Sequence, residues 1–190
     1  MRQEVIVKTF SHIPTLETER MLLRRLSVSD AEDMFSYASL EITSRYLTWS
    51  PHPDVYYTYN YLRRIEEQYR RGAFFDWAVV DRMDGHMIGT AGFTSFRAAS
   101  DVGEIGYVLH PDYWGRGLAP EAVRALLQFG FDNLQLHRIE AMFIEGNTAS
   151  RRVMEKVGMK FEGWHRESML IKGEYRTIGE CALLQQEYRK

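Results

Sequence analysis

The chain has 190 residues and a net charge of −2, with 45% hydrophobic and 26% charged residues. These values exclude bulk disorder and give no basic field for wrapping nucleic acid. No apolar run approaches the ~18 residues of a membrane span. Met1–Glu4 leads into no signal-type apolar core, so secretion is not expected and a reducing cytoplasm fits. One domain over residues 1–190 is expected, because a chain of this size buries about 70% of its unfolded surface without a staple. The single cysteine, Cys181, excludes an internal disulfide and a cysteine-based zinc cluster, and it reads as core. The histidines share no metal-ligand spacing, so no metal is expected.

Met21–Leu26 reads as a strand. Ser29 or Asp30 caps a helix running to about Tyr37, with Glu32 and Asp33 suiting its positive end. The prolines at 51 and 53 keep Trp49–Pro53 out of a helix. A long helix from Val55 to Arg71 follows, with Tyr57, Tyr61, Leu62, Ile65 and Tyr69 as its stripe and Gly72 as its stop. Tyr56, Tyr57, Tyr59, Tyr61 and Trp49 suit packing on a sheet, and equally the wall of a pocket. Phe75–Val80 and Met87–Phe93 are strands around the turn pair Asp84-Gly85. Glu104–Leu109 is another, with Ile105, Tyr107 and Leu109 on one face and Glu104, Gly106 and Val108 on the other.

A helix from Pro120 to Asn133 comes next, then a strand over Arg138–Phe143. Asn147 caps a helix to Val157, with Ala149, Val153 and Val157 as its apolar line and Gly158 as its stop. Met169–Ile171 and Tyr175–Leu184 form a hairpin around residues 172–174. The basic pairs Arg24-Arg25, Arg70-Arg71 and Arg151-Arg152 read as solvated edges. The order of elements predicts an α+β fold: one mixed sheet with helices on both faces.

The stretch Tyr107–Ala122 is strand, glycine loop, helix. Gly115 and Gly117 let backbone approach a ligand, and the amides of residues 115–119 would face out at the positive end of the helix, where a pyrophosphate is accepted. The spacing is neither Gly-x-Gly-x-x-Gly nor a Walker loop, and a tight turn accounts for the glycine pair equally well. His110, before Pro111, reads as a turn residue.

Trp114-Gly115-Arg116-Gly117-Leu118-Ala119 resembles the acetyl-CoA loop of the GNAT superfamily, Gln/Arg-x-x-Gly-x-Gly/Ala, with Trp114 standing where Gln or Arg is usual. Asn147-Thr148-Ala149-Ser150 through Glu155-Lys156-Val157-Gly158-Met159, then Glu162-Gly163, is similar to the Asn-x-x-Ser…Glu-Lys-x-Gly-Phe/Met…Glu-Gly signature of its RimJ/RimL-like branch. Leu16–Arg24 resembles that branch's opening, and the resemblance runs from about residue 14 to the C-terminus. It implies a mostly antiparallel sheet with one splayed parallel pair, formed by the strands ending at Leu109 and near Ile144.

By the same resemblance, acetyl-CoA is the co-substrate and its pantetheine lies along the main chain of Tyr107, Val108 and Leu109. The Val108 amide polarises the thioester carbonyl. Trp114, Gly115, Arg116, Gly117, Leu118 and Ala119 form the pyrophosphate loop, and Asn147 meets the pantetheine arm or a water. The acceptor is a primary amine, which loses a proton before attack. Glu104, acting through a water, is the candidate base. Some relatives place a proton-donating tyrosine where this chain has Met154, which leaves Ser150 as donor to the thiolate. Some RimL-like enzymes carry a glutamate where this chain has Met169, which favours Glu104. The acceptor implied is a protein N-terminus, ribosomal-protein-like. The alternatives are a polyamine or aminoglycoside-like amine, or an acyl-CoA sensor without turnover. No nucleic acid or membrane partner is expected, and exposed strand edges permit a homodimer without requiring one.

Overall fold

The computed structural model describes residues 3–189. Eight strands form one sheet: β1 (Leu16–Glu17), β2 (Met21–Arg24), β3 (Asp76–Asp81), β4 (Met87–Arg97), β5 (Val102–Leu109), β6 (Arg138–Ile144), β7 (Lys160–Ile171) and β8 (Glu174–Leu184), in the order β1-β2-β3-β4-β5-β6-β8-β7. Every neighbouring pair is antiparallel except β5 and β6. The helices are α1 (Gln3–Ser11), α2 (Ala31–Ala38), α3 (Glu41–Ser44), α4 (Val55–Arg70), α5 (Leu118–Gln128), α6 (Thr148–Lys156) and α7 (Gln185–Tyr188).

The two faces follow from strand alternation. On one, Phe10 of α1 and Phe129, just past α5, pack edge-on against Trp77. Ile105, Ala141 and Cys181 continue that face across the sheet and are buried. The other face carries Asp76 and lies under α2 and α4, whose Tyr37, Tyr61 and Tyr69 feel the Asp76 charge. Among the described residues no group of three or more His, Cys, Asp or Glu side chains is placed to hold a metal, and burial pushes the Cys181 thiol up to about 11, which makes it inert.

The splayed pair forms because β5 and β6 share only four rungs, Val102–Arg138 to Ile105–Ala141. Beyond them each strand keeps its outer neighbour: Tyr107 stays opposite Ala91, and Phe143 opposite Gly179. The main chain of residues 107–109 is thereby separated from β6. At the closed end Glu140, 1% exposed, receives both Arg97 (2.5 and 2.9 Å) and Arg138 (3.0 Å). Burial works to raise the Glu140 pKa, but the two guanidinium groups hold it below its ordinary value.

Several expectations are corrected. Asp30, one of the two expected caps, stands at the N-cap of α2 but makes no side-chain cap bond there; Ser27 caps the 3₁₀ turn that leads into it, with Asp30 completing that capping box and pairing with Arg24 at 2.6 Å. Arg24 is therefore a structural ion-pair partner rather than a solvated edge. The buried line of α4 is Thr58, Leu62, Ile65 and Tyr69, so Tyr57 falls on its exposed shoulder, as do Tyr56 and Tyr59. In α6 the buried residue is Met154, whereas Ala149 faces a cleft and Val153 both lines it and packs on the core. Helix α5 starts at Leu118, and α1, β1, α3 and the first part of β7 have no counterpart in the expected elements.

Candidate active site

The loop after β5 is shaped by its own sequence. The His110 ring nitrogen accepts from the Asp112 amide, and Pro111 opens a single 3₁₀ turn. The Trp114 indole N–H donates to the Leu109 carbonyl at 2.7 Å. Gly115 and Gly117 then take φ of +75° and +78°, the left-handed conformation that favours glycine. Arg20, from the turn before β2, holds the outer side: it donates to the Arg116 carbonyl (2.9 Å) and through Nε to Glu121 (2.7 Å). With that carbonyl tied back, the amides of Gly115, Arg116, Gly117, Leu118 and Ala119 donate to no described residue. Five free N–H groups at the start of α5 make an anion-binding concavity.

These amides open into a cleft of about 490 Å³. One wall is Tyr107, Val108 and Leu109 of β5; another is α6, through Asn147, Ser150 and Val153. The third is α3 and its following loop, Ile42 to Leu47, which the β7–β8 turn braces through a bond from Lys172 Nζ to the Ser44 carbonyl (2.6 Å). Arg45, Arg152 and Lys156 bring positive charge to the lining. Thr43 is buried, and its hydroxyl, in this wall, has no hydrogen-bond partner. Such a group costs about 1–3 kcal/mol unless something enters and bonds it.

The expected site residues divide clearly. Tyr107, Val108, Leu109, Trp114, Gly115, Gly117, Leu118, Ala119, Asn147 and Ser150 line the cleft. Arg116 belongs to the same loop and turns its guanidinium over the Tyr113 ring (5.0 Å). The Leu109 carbonyl is already engaged by Trp114, which leaves less of that main chain for a ligand. Asn147 caps α6 by accepting from the Ser150 amide (3.2 Å). Glu104 does not line the cleft. It lies on the opposite face of β5, part-exposed, where the Ser95 hydroxyl donates to its carboxylate at 3.3 Å.

The sequence reading did not foresee the role of the Tyr107 hydroxyl. The Tyr107 hydroxyl sits 3.0 Å from Ser150 Oγ and donates to the Ser150 carbonyl, also at 3.0 Å. Burial raises its pKa well above the tyrosine range, so it stays protonated. Thr43, Arg45 and Lys156 were also missed, and Arg152, read as a solvated edge, lines the cleft. Its neighbour Arg151 stacks on Phe161 (4.5 Å).

A splayed parallel pair, a row of free amides and a positively lined cleft between them match a known architecture. Residues 20–160 match the acetyltransferase (GNAT) domain. The chain is 32% identical over 174 residues, 92% of its length, to the uncharacterized N-acetyltransferase p20 of Bacillus licheniformis, 98% of which is covered. It is 26% identical to the [ribosomal protein uS5]-alanine N-acetyltransferase of Escherichia coli, covering 87% of this chain and 89% of that protein. The crystal structure of a GNAT-family acetyltransferase from Bacillus anthracis superposes with a TM-score of 0.81 at 29% identity, covering 92% of this chain and 100% of that one. GNAT enzymes use acetyl-CoA, and the unpartnered Thr43 hydroxyl and free amides of the cleft fit that co-substrate. The chain belongs to the GNAT family of N-acetyltransferases, with ribosomal-protein acetyltransferases among its relatives at modest identity.

Proposed function

We propose that this protein moves an acetyl group from acetyl-CoA to the α-amino group of a protein N-terminus in a ternary complex, in the cytoplasm. The observation that carries the reading is the junction of two features. The five free amides at the start of α5 lead directly into the gap where β5 leaves β6. A diphosphate would rest on those amides, near Arg152 and Lys156. The pantetheine arm would follow residues 107–109, with the Tyr107 N–H on the thioester oxygen; the Val108 amide expected there is instead turned to β4, because Val108 pairs with Thr90 in the same register that gives the His110–Ile88 bond. A donor aimed at a developing oxyanion is worth roughly 3–4 kcal/mol of barrier. Ser150 would protonate the departing thiolate, with Tyr107 orienting it. A carboxylate on the face of the sheet opposite Tyr107, for which the sequence offered Glu104, would accept a proton from the acceptor amine. The protein acceptor is favoured over a small amine by the E. coli relative, whose named acceptor is a ribosomal-protein alanine.

The test is release of free CoA thiol from acetyl-CoA in the presence of alanine- and serine-initiated peptides, spermidine and an aminoglycoside. Turnover on peptides alone supports the proposal. Turnover confined to spermidine or the aminoglycoside replaces the acceptor class, and tight CoA binding without turnover on any amine makes the protein a sensor.

A further inference from the structure

Three positions line up across the sheet on the face beneath α2 and α4. Asp76 on β3 is in register with Gly92 on β4, and Gly92 with Gly106 on β5. The row therefore starts at a carboxylate and crosses two residues without side chains. It ends where β5 parts from β6, one step beyond the last shared rung. Asp76 leans along this row, because a Cβ placed on Gly92 would collide with its Oδ1. Gly92 is buried beneath the Asp76 side chain, whereas Asp76 and Gly106 are part-exposed, so the carboxylate is reached from the Gly106 side.

The carboxylate is placed unlike the ion-paired acids of the fold. Asp30 is held by Arg24, Glu121 by Arg20 and Glu140 by Arg97 and Arg138. Among the described residues no cation and no hydrogen-bond donor meets the Asp76 side chain. Facing it are the phenols of Tyr37 from α2 and of Tyr61 and Tyr69 from α4. Behind these stand His52, whose ring lies 5.7 Å from that of Tyr61, Arg25 over the Tyr69 ring (4.6 Å), and Arg64. An unpaired carboxylate walled in by aromatic rings is costly, and groups held at such cost cluster at functional sites.

We propose that Asp76, whose carboxylate lies over Gly92, takes the proton from an acceptor ammonium that approaches over Gly106 at the parting of β5 and β6. This rests on the acetyl-transfer reading above and assigns the base to Asp76 rather than Glu104. The acceptor R–NH3⁺ gives one proton to the Asp76 carboxylate and becomes R–NH2. Its nitrogen bonds to the acetyl carbon as the carbon–sulfur bond breaks. One of its two remaining protons stays on the new amide, and the other is matched by the proton that reaches the CoA sulfur. Burial pushes the Asp76 carboxyl up to about 7. Proton transfer from an α-amine at about 8 is then nearly balanced, whereas a lysine at about 10.4 stands more than three units away. The acceptor class that fits is an N-terminal α-amine rather than a lysine side chain.

The experiment compares wild type, Asp76→Asn and Glu104→Gln, with acetyl-CoA and an alanine-initiated peptide, over pH 5.5 to 9. Wild-type kcat/KM should fall on the acid side with a midpoint near 7. His52, which burial holds below its ordinary range, would titrate lower. Asp76→Asn should lose that limb and drop by roughly 10²–10⁴-fold, the usual worth of a positioned base, while CoA affinity stays within about twofold. Glu104→Gln should keep the limb. The proposal is overturned if Asp76→Asn keeps both limb and rate, or if the limb disappears only in Glu104→Gln. Should Asp76→Asn not fold, the wild-type profile decides alone, and absence of the limb near 7 overturns the proposal. Wild type inert toward every amine tried would overturn the acetyl-transfer reading itself, and the proposal with it.

Discussion

Replacing Asp76 by Asn should make the protein more stable at alkaline pH. The folded carboxyl stands near 7 against an ordinary value of 3.8, because burial disfavours its charged form. At pH below ~3.8 both states are protonated and the group costs nothing. As pH rises toward 7 the unfolded chain ionises first, so folded-state stability is lost progressively, and above 7 the loss is constant. A shift of about three units corresponds to an upper bound of roughly 4 kcal/mol. Asp76 retains some contact with solvent, so roughly 1–4 kcal/mol is the reasonable range. For a chain of this size each kcal/mol moves Tm by about 2–4 °C. Thermal melts followed by circular dichroism at pH 5 and pH 8 should show Asp76→Asn above wild type, with the gap widening by several degrees at pH 8. A gap independent of pH, or a less stable variant at pH 8, would refute the claim that this carboxylate is buried without a partner. Asp76 would then carry no electrostatic cost in the fold, and its functional assignment would lose its physical basis.

Ser150→Ala should lower kcat with little change in acetyl-CoA affinity, and Tyr107→Phe should lower it in the same sense, because the two hydroxyls are 3.0 Å apart; steady-state kinetics with a separate CoA titration checks both. Thr43→Val should leave the free protein as stable as wild type or more so, yet weaken CoA binding about fivefold, the worth of ~1 kcal/mol for one net hydrogen bond. Arg20→Ala should weaken CoA binding by removing the tether on the Arg116 carbonyl, while thermal stability changes by less than about 1 kcal/mol, as expected for a surface ion pair. Unchanged CoA affinity in either of these last two variants would remove that residue from the site.

The sequence carried the loop and the order of elements well, because their signals are local. The Gly115–Gly117 pair before α5, Asn147 capping α6 and the alternation of β5 all rest on residues within a turn or two of each other. What it hid depends on contacts between distant segments. Thr43 and Arg45 reach the cleft from α3, a helix of four residues with no periodicity to read. Asp76 resembled an ordinary polar strand start until the register placed it beside Gly92 and Gly106. The Tyr107 phenol was overlooked because alternation indicates which face a side chain takes, but not that Ser150 waits there. The expected stripes of α4 and α6 failed for another reason. Tyr57 lies on the exposed shoulder of α4, and Ala149 turns to the cleft, while Val153 both lines it and packs on the core.

The central claim is that the amides of residues 115–119 and the gap between β5 and β6 together hold coenzyme A. Isothermal titration of the purified protein with CoA tests it most directly. One site with a Kd in the micromolar-to-millimolar range typical of enzyme co-substrates is the expected result. No measurable heat and no rise in Tm at millimolar CoA would contradict it.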